Sequence, residues 1–261
     1  MKPIKMILVA AVAVGLWAGC GENPANEKNV TKFNPDTDYI YFTDDRDGKT
    51  YKSVIMGEQV WMAENLNYDN GEGKCYGEGG EAVLETNPVN GVPTKTKILS
   101  HEEQQANCER YGRLYGWVVA MDIDTAYNHI NWKSTGAKHR GICPNGWHLP
   151  TELEWNRLYW FVGNNEYDTT ASRKLKSKSG WADAREGVSG NGTDSFGFSA
   201  LPGGGGDNKY FKEAGERGFW WGADEWDNLS ASSAYMAYYS GYPSTGHFYK
   251  TTLLSVRCVQ D

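Results

Sequence analysis

The sequence predicts an α+β fold: a single domain stapled by disulfides and built of short antiparallel strands, two or three helices and long Gly-rich loops. Three observations carry that prediction. Strand-like alternation is concentrated at the two ends of the chain, helix start signals lie between them, and many of the 31 glycines fall in the stretches that join these segments. Four cysteines follow Cys20, an even number that in an exported chain favours two disulfides and allows three pairings.

The N-terminus reads as an export signal. Lys2 and Lys5 precede an apolar run from Ile7 to Trp17 that stops at Ala18-Gly19-Cys20. At about eleven residues the run is too short to span a bilayer. Small residues directly before a cysteine resemble a bacterial lipobox, which implies cleavage after residue 19 and lipidation of Cys20. A lipid-free secreted form, cut after an Ala-x-Ala-like site, is the alternative. Residues 20–37 then form the lipidated cysteine and a polar, Pro- and Asn-rich tether, and residues 38–261 form one domain of about 220 residues.

Within that domain, YIYFTDDRDGKTYKSVIMGEQVWMAENL alternates as three antiparallel strands, with hairpin turns at Asp47-Gly48 and Met56-Gly57. From Tyr76 to Leu99 neither period is present, and a long loop is expected. Ser100-x-x-Glu103 is a capping box for a helix carrying Ala106, Cys108 and Tyr111. RLYGWVVAMD is an apolar element whose periodicity fits helix and strand alike. In CPNGWHLPTELEW, Pro144-Asn145-Gly146 supplies turn chemistry, Pro150 ends an extended segment, and Thr151 caps a helix whose box is completed by Glu154. That helix places Leu153, Trp155, Leu158, Tyr159 and Phe161 mostly on one side and ends near Gly163. Residues 182–218 read mostly as loops. FWWGA, SAYMAYYS and LLSVRCV are strand candidates.

CPNGWHLPTELEW, KLKSKSGW, GTDSFGFSALPGGG, GFWWGADEW and SVRCVQD, in that order, resemble the Fibrobacter succinogenes major paralogous domain, a family of lipoprotein-borne, cysteine-containing bacterial domains. The resemblance runs from about Asp44 to Asp261 and implies the pairings Cys75–Cys108 and Cys143–Cys258. The second would close a loop of about 115 residues, worth roughly 4 to 5 kcal/mol in the chain-entropy model. The HLPTELEW segment and a bridge to the last strand are also similar to the C-type lectin fold and its formylglycine-generating-enzyme relatives.

The motifs that carry common chemistries are missing from the sequence. Only Cys258 lies where the formylglycine-generating enzymes hold a reactive cysteine pair. No two cysteines have Cys-x-x-Cys spacing for zinc, and no helical His pair, Gly-x-Ser-x-Gly elbow or phosphate loop occurs. Gly203 to Gly206 are not followed by Lys and Ser or Thr. Glu152 and Glu154 are badly placed for a glycosidase pair. His148 reads as a structural hydrogen-bonding residue. Calcium is the one cation with candidate ligands, Asp44, Asp45 and Asp47, which read better as a charged hairpin turn. The calcium-ligating motifs of C-type lectins are absent. No cofactor is expected. Removing residues 1–19 takes Lys2 and Lys5 from the 26 basic residues and leaves all 33 acidic ones, a net charge near −9 that offers nucleic acid no footprint.

Aromatic content is the remaining functional signal, with 11 Trp, 16 Tyr and 8 Phe. Flat rings stack on sugar rings while nearby carboxylates and amides bond the hydroxyls. Trp147, Trp155 and Trp181 are assigned to the core. Strand alternation turns Trp220 and Trp221 to opposite sides, so that at most one need be core. The densest cluster is Trp221, Asp224, Trp226, Asp227, Tyr235, Tyr238, Tyr239 and Tyr242, expected to form the ligand surface. The expected function is non-catalytic recognition of plant cell-wall or other glycans by a lipoprotein at the outer membrane or cell surface. Docking or structural contact with envelope proteins is the alternative, and an extracytoplasmic hydrolase ranks third.

Overall fold

The structure is a computed structural model and describes residues 33–86, 93–132, 138–165 and 168–261. The export signal, Cys20 and the tether as far as residue 32 lie outside the described residues. The packed chain begins before residue 38: Asn34 is buried and its amide donates to the Asp194 carbonyl at 2.8 Å.

The first three strands are β1 (Ile40–Thr43), β2 (Thr50–Met56) and β3 (Gln59–Met62), paired antiparallel. Their turns place Gly48 and Gly57 at φ +74° and +66°, a region that costs glycine little. The span from Tyr76 to Leu99, expected to be a loop, carries a hairpin instead, β4 (Ala82–Thr86) and β5 (Pro93–Lys97). It is held as a sheet margin by parallel pairing of β4 with a strand far along the chain, an interaction that leaves no local pattern.

Helix α1 (His101–Tyr111) starts at the expected capping box. Ser100 Oγ accepts from the Glu103 amide at 3.2 Å, and Glu103 returns a carboxylate oxygen to the Ser100 amide at 2.9 Å. RLYGWVVAMD resolves into both readings, β6 (Leu114–Tyr115) and α2 (Trp117–Met121). After β7 (Trp147–His148) the Thr151–Glu154 box starts α3 (Glu152–Val162), followed by α4 (Ala171–Leu175). A box of this kind is worth about 1 kcal/mol. The buried face of α3 is Glu154, Trp155, Leu158 and Val162; Leu153 and Phe161, expected on that face, point to solvent.

Strands β8 (Asp183–Arg185), β9 (Val188–Ser189), β10 (Gly203–Gly206) and β11 (Tyr210–Ala214) occupy the stretch expected to be loops. The all-glycine β10 is fully buried, and its neighbours leave no room for a side chain at Gly204 or Gly206. A Cβ on Gly204 would stand 2.4 Å from the Lys212 carbonyl oxygen. The last third is β12 (Arg217–Glu225), β13 (Ser230–Ala237), β14 (Ser244–Tyr249), β15 (Leu254–Ser255) and β16 (Val259–Gln260). LLSVRCV, expected as one strand, is thus split between two sheets.

One sheet has the order β1-β2-β3-β16-β7; the larger runs β14-β13-β12-β10-β11-β4-β5, with β15 joining β12 to β6. Pairing is not wholly antiparallel: β10 with β12, β11 with β4 and β12 with β15 are parallel. The architecture is therefore mixed helix and sheet, mostly strand, with four short α-helices among the described residues. Two disulfides staple it, Cys75–Cys108 and Cys143–Cys258, with Cα separations of 4.8 and 6.0 Å.

β12 runs between two apolar clusters. Trp221 packs with α2 on one side, and Trp220 with α3 and α4 on the other. Both tryptophans are fully buried, against the expectation that one would suffice, because this strand has a packed layer on each face. Each indole N–H finds an acceptor: Trp220 donates to Asn65 Oδ1 at 2.8 Å and Trp221 to the Tyr115 carbonyl at 2.7 Å. Asn65 Oδ1 also takes two hydrogen bonds from the buried Arg257 guanidinium, while its amide reaches the Tyr111 carbonyl at 2.8 Å. Trp147, Trp155 and Trp181 are core residues, as expected.

Candidate functional site

The expected ligand cluster does not form one surface. β13 pairs with β12 so that Trp226 and Asp227 lie at one end of the hairpin, while Tyr238, Tyr239 and Tyr242 lie in the turn to β14 at the other. Eight residues of strand separate the ends, about 25 Å at the usual rise. Trp221 has no exposed surface and cannot meet a ligand. Asp224 is spent on the fold, accepting from the Glu152 amide at 2.5 Å at the start of α3. Tyr235 is half-buried in mid-strand against Phe219.

At the first end, Trp226 is 65% exposed and its ring lies 3.8 Å from that of His247 on β14, centroid to centroid. Beside it opens a shallow groove of about 1000 Å³ whose opposite wall is His129, Ile130, Asn131 and Trp132. Asp227 Oδ1 accepts from the amides of Leu229 and Ser230 at 2.8 and 2.7 Å, which fixes the turn and holds its carboxyl below the ordinary value.

Beneath the groove lies Lys250, fully buried. Its ammonium is paired with Glu225 and donates to the carbonyls of Tyr127, Ile130 and Asn228 at 2.8, 3.2 and 3.2 Å. Glu225 also accepts from the Trp132 amide at 2.8 Å. One buried ion pair thus ties both walls together, and the exposed aromatic edge is presented on backbone that is already fixed. No sequence pattern joins Lys250 to Glu225 or to residues 127–132; only the strand register brings them together.

At the other end Tyr238 is buried and meets Tyr239 edge to face at 5.0 Å. Tyr239 is exposed and accepts from Arg217 at 3.2 Å. The turn is tied down by a second buried lysine, Lys176, which donates to the carbonyls of Ala237, Tyr238 and Ser240. Burial pulls the Lys176 ammonium down to about 8.

A model of the Fibrobacter succinogenes major domain matches residues 54–260 of this chain. The chain belongs to that family. The match covers the larger sheet, both disulfides and the whole of the Trp226 hairpin, and takes in the smaller sheet from the middle of β2 onward, leaving β1 outside it. No curated protein and no solved structure matches the chain.

The remaining candidate residues have structural partners. His148 is buried with Nε2 2.9 Å from Glu154 and Nδ1 2.8 Å from Asp261, which ties β7 to α3 and to the last residue. Burial would raise the Glu154 carboxyl, but hydrogen bonds from His148 and the Thr151 amide outweigh it and hold it at about 2. Asp44 is buried against the Arg46 guanidinium at 2.6 Å, and Asp47 accepts from the Lys49 amide at 3.0 Å, both within the hairpin turn. Among the described residues, no group of three or more His, Cys, Asp or Glu is placed to hold a metal ion, and no helix is long and apolar enough to cross a membrane.

Proposed function

We propose that this domain is a non-catalytic recognition module for glycans, C-type-lectin-like in fold, carried at the outer membrane or cell surface by a protein lipidated at Cys20. The carrying observation is Trp226: an indole 65% exposed, set beside a groove whose walls are locked by a buried lysine. A rigid ring with amide and carboxylate neighbours suits the apolar face and hydroxyl rim of a sugar and loses little entropy on binding. His129, Asn131 and Asn228 supply polar groups on the same groove.

The test is retention of residues 21–261, purified oxidised, on a glycan array and on insoluble plant polysaccharides, with and without calcium. Selective retention that is lost in Trp226→Ala supports the reading. No retention on any polysaccharide in either condition defeats it.

Docking onto envelope proteins is a second reading, favoured by one feature. β1 is a sheet-edge strand, and Ile40, Tyr41 and, on the adjoining β2, Ile55 are 47, 63 and 64% exposed. An unpaired edge with apolar side chains suits strand-to-strand contact with another protein.

A further inference from the structure

The oxygens around the Lys250 ammonium outnumber its protons. An ammonium has three N–H donors and no acceptor. Four oxygens stand around this one: the carbonyls of Tyr127, Ile130 and Asn228 at 2.8, 3.2 and 3.2 Å, and Glu225 Oε1. The Trp117 ring adds an aromatic face, its centroid 5.0 Å from Nζ. Carbonyls, a carboxylate and an indole face, with the whole side chain buried, make a ligand set for a cation.

The set comes from three segments of chain, and each is also held by contacts that do not use the lysine side chain. The Tyr127 amide donates to the Asp124 carbonyl at 3.0 Å and the His129 amide to that of Ala126 at 3.2 Å. Glu225 accepts from the Trp132 amide at 2.8 Å. The backbone of residue 250 donates to the Leu229 carbonyl and accepts from the Trp117 amide, both at 2.8 Å. The oxygens are thus directed at one point by the fold as well as by the ammonium between them.

Size and charge narrow the cation. Calcium takes six to eight oxygens at about 2.3 to 2.6 Å, so this set is too wide and too small for it. Three neutral carbonyls and one carboxylate at ammonium distances suit a monovalent ion of ammonium size, such as potassium. We infer that the fold holds a monovalent-cation site between residues 127–130 and the Trp226 hairpin, which Lys250 fills with its own ammonium. The walls of the groove are then fastened without a metal ion, and calcium has no part in their order. Lys176 makes no such site: its three carbonyls stand at 3.0, 3.4 and 3.4 Å with no carboxylate among the described residues to balance a free cation.

The test empties the site. Lys250→Ala removes the atoms from Cγ to Nζ, which n-propylammonium replaces. Thermal midpoints of the oxidised protein are measured in sodium, potassium, n-propylammonium and tetramethylammonium chlorides at equal ionic strength, and in calcium chloride, with the wild type giving the general effect of each salt. Relative to wild type, Lys250→Ala is expected to melt about 2 to 4 °C higher in potassium or n-propylammonium than in tetramethylammonium, the shift given by an ion present at several times its dissociation constant. Lys250→Met, which fills the space with an apolar chain, and Lys176→Ala should show no such preference. A Lys250→Ala midpoint that follows the wild type in every salt, or a variant that folds in none of them, would overturn the site. A response to calcium alone would overturn its monovalent character. Melting reads the site with no glycan present, so a negative result here leaves the glycan reading standing.

Discussion

The two turns at the ends of β13 are built alike and charged differently. Each exposes aromatic residues, Trp226 at one end and Tyr239 and Tyr242 at the other, and each is fastened from below by a buried lysine that donates to turn carbonyls. Lys250 faces a carboxylate, Glu225, whereas Lys176 has no carboxylate partner among the described residues and lies 5.0 Å from the Trp181 ring. The pairing matters because Glu225 also holds the Trp132 amide, so the Lys250 charge fixes two segments where the Lys176 charge fixes one. The groove stands at the end where the buried cation is compensated.

The largest effect is expected at Lys250. Lys250→Met leaves Glu225 mostly buried without its cation and frees three carbonyls, and the expected loss is about 3 to 5 kcal/mol in urea unfolding of the oxidised protein. Adding Glu225→Gln should return part of that loss. Lys176→Met removes a buried cation that has no counter-charge, so its cost should be less than half as large. Equal costs would show that the Glu225 pairing contributes nothing.

A change of similar size separates the tryptophans that serve the fold from those that serve the surface. Trp221→Ala should cost about 3 to 5 kcal/mol. Trp226→Ala, five residues on, should lie within about 0.5 kcal/mol of wild type.

What was legible in the sequence follows from how local each cause is. The two capping boxes at Ser100 and Thr151 and the turns at Gly48 and Gly57 depend on residues within a few positions, and all stand where the sequence places them. The disulfide pairing was readable only through resemblance to relatives. β10 was missed because four glycines carry no alternation; at Gly204 and Gly206 carbonyls of β11 approach too closely for a Cβ. Trp220 and Trp221 were misjudged because alternation presumes one wet face, and β12 has none. The candidate site was half legible. Trp226 and Asp227, candidates in the sequence, stand at one turn of the hairpin, but the grouping with Tyr239 ignored the length of β13, and the Lys250–Glu225 pair gave no pattern to find.

Smaller effects are expected from pH. The Lys176 ammonium is depressed from 10.5 to about 8 in the folded chain, so the unfolded chain binds more protons between those values and stability should rise as pH increases through about 8 to 10.5. Lys176→Met should remove that rise, as measured by thermal midpoints of the two proteins. In acid the slope has the same sign. Glu154 is held at about 2 against an ordinary 4.5, so its contribution is complete above about 4.5 and is lost as pH falls toward 2. Glu154→Gln should flatten that acid limb.

The most direct measurement of the central claim is retention of oxidised residues 21–261 on insoluble plant polysaccharide, with Trp226→Ala run beside it and both proteins matched in urea midpoint. Retention by the wild type and its loss in an equally stable Trp226→Ala protein is the predicted result. Equal retention of the two proteins, or none by either, would contradict recognition at the groove fastened by Lys250.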